Sequence, residues 1–229
     1  MKHLTGIAFD NLYPNCVYSM SIHIASCVRL PYIQNEKSWE NNFYSIQEYG
    51  GTEGTMYFDG KHHIVVGAFR NLRSTRMALY PGFEALSLFD AANAESRAIA
   101  KDGVLAYLLT SVRKKTILGH KMVNIPLATT CLWNEYDDIY SCDAGSNFAA
   151  NGGNYVCDVS DVFDSVKTML IEYYESTPVE LECAMMLFGA KMSDSPQVSK
   201  RVIERISPLY KGCSEFWEAV ELFGITVIE

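Results

Sequence analysis

Met56-Tyr57-Phe58-Asp59-Gly60-Lys61-His62-His63-Ile64-Val65-Val66-Gly67-Ala68-Phe69 is the stretch that decides the fold class. Aromatic and β-branched residues flank an Asp-Gly dipeptide, and both central positions of a type I′ turn need a positive φ that such residues tolerate. The stretch therefore predicts a β-hairpin with one arm over residues 56–58 and the other over 62–69. It also sets two of the five histidines side by side. On a strand, neighbouring side chains point to opposite faces, so His62 and His63 are not expected to ligate one metal together.

Upstream of the hairpin, residues 22–30 carry β-branched and apolar residues, and Gly50-Gly51 punctuates the chain, so the first 80 residues read as rich in strands and turns. From Pro81 the periodicity becomes helical, with a short helix expected over 82–89 and a longer one over 95–112. The longer one places Ile99, Val104, Leu105, Leu108 and Leu109 on one side. Gly103 weakens it by about 1 kcal/mol relative to alanine. Arg113-Lys114-Lys115 reads as its cationic C-terminus.

A second β unit is expected from the apolar runs 124–133 and 139–142 on either side of Asn134-Glu135-Tyr136-Asp137-Asp138. Residues 143–155, with Gly145, Gly152 and Gly153, read as a surface loop. The last third is helical. Ser160 is positioned to cap a first helix. Thr177-Pro178-Val179-Glu180 is a capping box with proline at the first helical position, opening a helix with Leu181, Ala184, Met185 and Phe188 inward. Ser195-Pro196 opens a third helix and Ser214 a fourth, with residues 225–228 returning as an edge strand. The whole predicts an α+β fold: an antiparallel sheet, a β-rich N-terminal part and a helical C-terminal third. One domain over residues 1–229 accommodates it, with 158–224 a helical C-terminal subregion.

The 229 residues are 48% hydrophobic and 20% charged, ordinary globular composition. No run of about 18 apolar residues occurs, and the first twenty residues lack a basic stretch followed by an unbroken apolar one. Seven cysteines, an odd number without a CxxC pair, suit a reducing compartment. A cytoplasmic protein is expected. The net charge of −8 is uneven, since residues 1–150 hold 13 Lys+Arg against 14 Asp+Glu and residues 151–229 hold 6 against 13. An acidic surface disfavours direct nucleic-acid contact and anionic membranes, and it steers basic partners.

Motifs with a defined chemistry are missing. HExxH, GxxxxGK[ST] and GxGxxG do not occur, no calcium-loop spacing surrounds Asp137 and Asp138, and Ser141-Cys142-Asp143 lacks the glycine frame of a nucleophile elbow. Neither a cofactor nor a metal is expected. Arg70, Arg73 and Arg76 form the one arginine cluster suited to clamping an anion, although interleaved Asn, Ser and Thr read first as a solvated connection. An enzyme built on it would take His63 or His120 as general base. A cysteine hydrolase on Cys16 or Cys142 with a distant histidine is a weaker form of that idea.

The order of elements adds a resemblance. Gly50-Gly51-Thr52-Glu53-Gly54-Thr55-Met56-Tyr57-Phe58 runs into Val65-Val66-Gly67-Ala68-Phe69-Arg70-Asn71, then into Trp133, Ser141-Cys142-Asp143 and Gly152-Gly153 before a helix rich in tyrosine. Over residues 43–175 this layout resembles some bacterial immunity proteins, intracellular antidotes that bind and neutralise a polymorphic toxin. The resemblance implies a non-enzymatic protein, a monomer or dimer, that binds a toxin domain, and the acidic C-terminal region together with exposed aromatics leads to the expectation that this partner is basic. The resemblance fixes no binding residues, because such families place their contacts on variable surfaces. From the residues themselves, the acidic and aromatic loop is the expected contact: Trp133, Glu135, Tyr136, Asp137, Asp138 and Asp143. The alternative is the enzyme acting on a small anionic substrate through Arg70, Arg73 and Arg76.

Overall fold

The computed structural model describes residues 2–4, 7–47, 52–71, 85–116, 119–136, 138–143 and 162–229. Two compact units make up the chain: Met1–Phe9 with Ser45–Cys157, and Asp10–Tyr44 with Asp158–Glu229. Strands predominate in the first and helices in the second, so the α+β expectation holds. The helical region expected over 158–224 belongs to a unit that also takes in Asp10–Tyr44.

The first unit is organised by strands β1 (Lys2–His3), β3 (Phe43–Gln47), β4 (Thr52–Asp59), β5 (Ile64–Asn71), β8 (Thr130–Glu135) and β9 (Asp138–Asp143), in the order β1-β9-β8-β5-β4-β3. Strand β2 (Lys37–Glu40) belongs to the second unit and is followed by Asn41 and Asn42, both with positive φ. β4 and β5 pair antiparallel from Thr52↔Asn71 to Asp59↔Ile64, as the opening stretch predicts. Gly54 is opposite Phe69, and a Cβ there would come within 2.3 Å of the Phe69 ring. Only glycine lets that ring lie across the strand.

The turn differs in kind from the expected one. Four residues, 60–63, connect β4 to β5, Asp59 Oδ1 accepts the Lys61 and His62 N–H groups, and the left-handed residue is His63 at φ 52°. The aspartate acts through its side chain and not through a positive φ of its own. His62 and His63 therefore sit in the turn, where strand alternation does not govern them. The His63 ring packs on Phe9 with centroids 4.8 Å apart, while His62 Nε2 lies 3.9 Å from Asp59 Oδ2.

One face of the sheet is closed by helix α2 (Ala94–Tyr107), capped by Asn93, whose side chain accepts the Ser96 N–H at 2.8 Å. Val66 and Ala68 of β5 lie opposite Trp133 and Cys131 of β8, and these residues pack with Phe89, Ala100, Val104 and Leu108. The helix is shorter than the expected 95–112. Its apolar period continues past Tyr107, but Leu109 already pairs with Pro126, in the hairpin of β6 (Leu109–Thr116) and β7 (Gly119–Pro126). Arg113-Lys114-Lys115 accordingly stands in a strand, not at a helix C-terminus, because an eight-pair ladder outweighs local periodicity. The helix expected over 82–89 is a 3₁₀ segment, Ala85–Phe89, with 82–84 outside the described residues.

The second unit is built on α1 (Phe9–Cys27), which replaces the strand expected within 22–30. Every residue from Asn15 to Ser26 is buried. A helix enclosed on all sides carries no polar stripe, so its 3.6-residue period is hidden and its β-branched residues imitate a strand. Around it lie α3 (Phe163–Tyr173), α4 (Pro178–Lys191), α5 (Lys200–Ile206) and α6 (Ser214–Leu222). The Tyr18 ring meets Phe163 and Phe188 edge-on.

The capping box that opens α4 forms in full, with Glu180 Oε2 accepting the Thr177 N–H at 2.7 Å and Thr177 Oγ1 accepting the Glu180 N–H at 3.3 Å. Glu180 also binds Arg29 Nε at 2.8 Å, which turns its own face inward. The buried line is therefore Glu180, Cys183, Ala184 and Leu187, and Met185 is exposed. The helix expected from Ser195-Pro196 starts only at Lys200, because Gln197–Ser199 (β10) pairs in parallel with Thr226–Ile228 (β11). α3 begins at Phe163 without a side-chain cap, and Ser160 lies outside the described residues.

Candidate functional site

Strands β8 and β9 close on the pair Glu135↔Asp138, with Tyr136 directly after β8. Tyr136 adopts φ 57° and is 96% exposed. Left-handed backbone costs a non-glycine residue about 1 kcal/mol or more. Asn134 holds it there. Its side-chain nitrogen donates to Tyr136 O at 3.0 Å and to His63 O at 2.7 Å, while its oxygen accepts the Val65 N–H at 2.9 Å. One amide thus ties the β8–β9 turn to the β4–β5 turn beside it, so the tyrosine is presented from a fixed platform.

The two turns and the start of α2 border a cavity of about 390 Å³ lined by His62, Ile64, Asn93, Glu95, Ser96, Asn134, Glu135 and Tyr136. Glu135 Oε1 accepts the Trp133 indole N–H at 3.4 Å, and exposed Asp138 lies 3.2 Å from His3 Nε2 through Oδ1. Glu95, Glu135 and Asp138 give this end of the sheet an acidic rim around one exposed aromatic ring.

Not all of the expected contact residues come together here. Trp133 is fully buried in the core and reaches the rim only through its bond to Glu135, because its strand position faces α2. Glu135 is half-buried, and Tyr136 and Asp138 are exposed. Asp137 lies outside the described residues. Asp143 ends β9 opposite Thr130, at the far end of the hairpin from Tyr136.

The arginine alternative is not assembled by the described residues. Arg70 is buried and forms an ion pair with Glu53, its cross-strand partner, and Arg73 and Arg76 lie outside the described residues. His63 precedes β5 and Arg70 is near its end. Seven residues of extended chain separate them by roughly 23 Å, too far for one small substrate. His120 is in β7, in the separate two-stranded sheet.

Cys142 is half-buried in β9, opposite Cys131 of β8. Cys16 is fully buried and its thiol is raised well above the usual range by burial. Cys27, in the second unit, does meet a histidine, with Sγ 3.4 Å from His23 Nε2, while His23 Nδ1 lies 3.2 Å from the Tyr174 hydroxyl. The spacing of four residues brings the two together only on a helix, and the strand expected there would set them about 13 Å apart. Burial, with the Lys37 charge adding, pulls the His23 imidazole down to about 3, and burial pushes the Cys27 thiol up to about 12. Both groups are neutral at physiological pH. The pair lacks the thiolate that nucleophilic catalysis uses.

Among the described residues no group of three or more His, Cys, Asp or Glu side chains stands close enough to hold a metal ion, and no helix is long and apolar enough to cross a membrane. No family model, curated protein or solved structure matches the chain.

Proposed function

We propose that this is a non-enzymatic binding protein that neutralises a basic protein partner, in the manner of the immunity proteins its sequence resembles, and that the tip formed by Glu135, Tyr136 and Asp138 makes the central contact. The observation that carries the reading is Tyr136, almost wholly exposed and held in a costly backbone conformation by Asn134. Strain retained at a solvent-facing tip has no value for packing, and rigid tyrosines lose little entropy when an interface orders them. The acidic rim supplies the sign of the partner, since Glu95, Glu135 and Asp138 repel phosphate backbones and attract lysine- and arginine-rich surfaces.

Two further features support binding over catalysis. Arg70 is occupied by Glu53, and the thiol nearest an imidazole is held protonated. The reading places the encounter in the cytoplasm, where free cysteines persist.

The test is co-purification of a tagged chain from its own cells at low and high salt, run beside the charge reversal Asp138→Lys. The expected result is one stoichiometric basic protein, toxic when expressed alone, retained by the parent at low salt and released at high salt or by the reversal. Retention of that protein by the reversed variant would remove the tip from the interface. Its absence from the parent would remove the antidote reading.

A further inference from the structure

The second unit contains a pocket of about 290 Å³ between α1, the turn that follows it and α6. It lies in a different unit from the tip described above, and the binding reading makes no use of it. Met20, Ile24, Val28, Pro31, Phe216 and Ala219 supply apolar wall, and the polar groups are His23, Cys27, Gln34, Lys37, Cys213 and Glu215. An apolar pocket with a few convergent polar groups is the usual form of a small-molecule site, at the small end of the volume range of about 300–1,000 Å³.

Lys37 fixes the chemistry. Its Nζ donates to Ser19 Oγ at 2.8 Å and lies over the Tyr174 ring, 5.2 Å from the centroid. Ser19 Oγ in turn accepts the Tyr44 hydroxyl at 3.0 Å. The ammonium is thus oriented by a buried network, Lys37 lines the pocket with His23, and its charge acts on that imidazole, which is anchored by Tyr174. Glu215 is the one carboxylate in the lining. It is fully exposed and accepts the Ser214 hydroxyl at 3.2 Å, so it belongs to the mouth and not the interior.

The other occupants fit less well. The thiols, imidazole and carboxylate that share the pocket do not converge as a metal-binding group. A covalent adduct at Cys27 needs a thiolate that its surroundings suppress. A cation meets Lys37, and a dianion such as phosphate finds one positive charge beside a neutral imidazole. We propose that the pocket binds a small monocarboxylic acid with an apolar body, its carboxylate on Lys37 with His23 alongside and its hydrocarbon against Met20, Ile24 and Phe216. A single ammonium and a carboxylate make a charge-assisted bond of matched charge, strengthened by the apolar walls.

The experiment titrates hexanoate and 1-hexanol into the full-length protein while following the imidazole resonances of His23 by NMR. Hexanoate is expected to shift His23 saturably and to bind at least tenfold more tightly than the alcohol of the same length. Lys37→Met is expected to abolish that preference. Because losing the Lys37 bond to Ser19 can disturb folding, Ala219→Phe serves as the second variant. It fills the pocket and leaves Lys37 in place, and it is expected to abolish hexanoate binding with the thermal transition retained. A His23 signal unmoved by hexanoate, equal binding of hexanol, or undiminished hexanoate binding by the filled variant overturns the proposal.

Discussion

The two units treat their polar groups in opposite ways. In the sheet unit, Tyr136 and Asp138 stand in solvent and Asp59 is half-buried at the end of β4, each held by a named backbone or side-chain partner. In the helical unit His23, Lys37, Cys27 and Tyr174 are gathered around a central helix, and burial suppresses the charge of the imidazole and the thiol. Lys191 follows the same rule. Its Nζ donates to Phe223 O at 2.6 Å between the Trp39 and Phe223 rings, and burial lowers it to about 8. Chemistry is displayed in one unit and enclosed in the other, which is why the partner proposed for the first is a macromolecular surface and the ligand proposed for the second a small molecule.

The largest effect expected from this comparison lies within the hairpin itself. Trp133 and Tyr136 are three residues apart, yet one is core and the other solvent. Trp133→Ala should cost about 3–5 kcal/mol, the range for deleting a fully buried aromatic ring, measured by denaturant unfolding. A cost below about 1 kcal/mol would mean that the indole does not organise the sheet as described.

A second effect separates the units by pH. The folded-state pKa of His23 is depressed below its unfolded value, from 6.5 to about 3. Between those values the unfolded chain binds a proton that the native chain does not. Stability contributed by the neutral imidazole is therefore complete above pH 6.5 and is lost as pH falls toward 3, by roughly 1.4 kcal/mol per pH unit for one proton. Subtracting the acid limb of a His23→Gln variant from that of the parent isolates this slope from the carboxylates. Parallel acid limbs would show that His23 is protonated in the native state or solvated there.

How much could be read from sequence depended on whether the deciding partners were local. The Thr177-Glu180 capping box was legible because donor and acceptor are three residues apart and no other element is needed to form it. The position of the β4–β5 turn was legible from Asp59-Gly60, but its geometry was not, since the left-handed residue is His63, held in part by Asn134 of a distant strand. α1 was hidden by its complete burial, and with it went the pairing of His23 with Cys27. The end of α2 was misplaced because β7, far along the chain, takes Leu109 into a ladder. Of the candidate contact residues, the turn of Glu135, Tyr136 and Asp138 could be found from the acidic-aromatic pattern between two apolar runs. The burial of Trp133 and the cross-strand capture of Arg70 by Glu53 both depend on neighbours that sequence does not reveal.

The smallest effect on stability tests the central claim most directly. Tyr136→Gly removes the exposed ring and lets the turn adopt positive φ without steric cost, so the fold should hold its stability within about 0.5 kcal/mol or gain slightly. Affinity for the basic protein captured by the parent chain should fall at least tenfold. Thermal unfolding and equilibrium binding measured on the same two preparations give both numbers. A stable variant with weakened binding is the predicted outcome, and a variant that binds as tightly as the parent would contradict the assignment of Tyr136 to the interface.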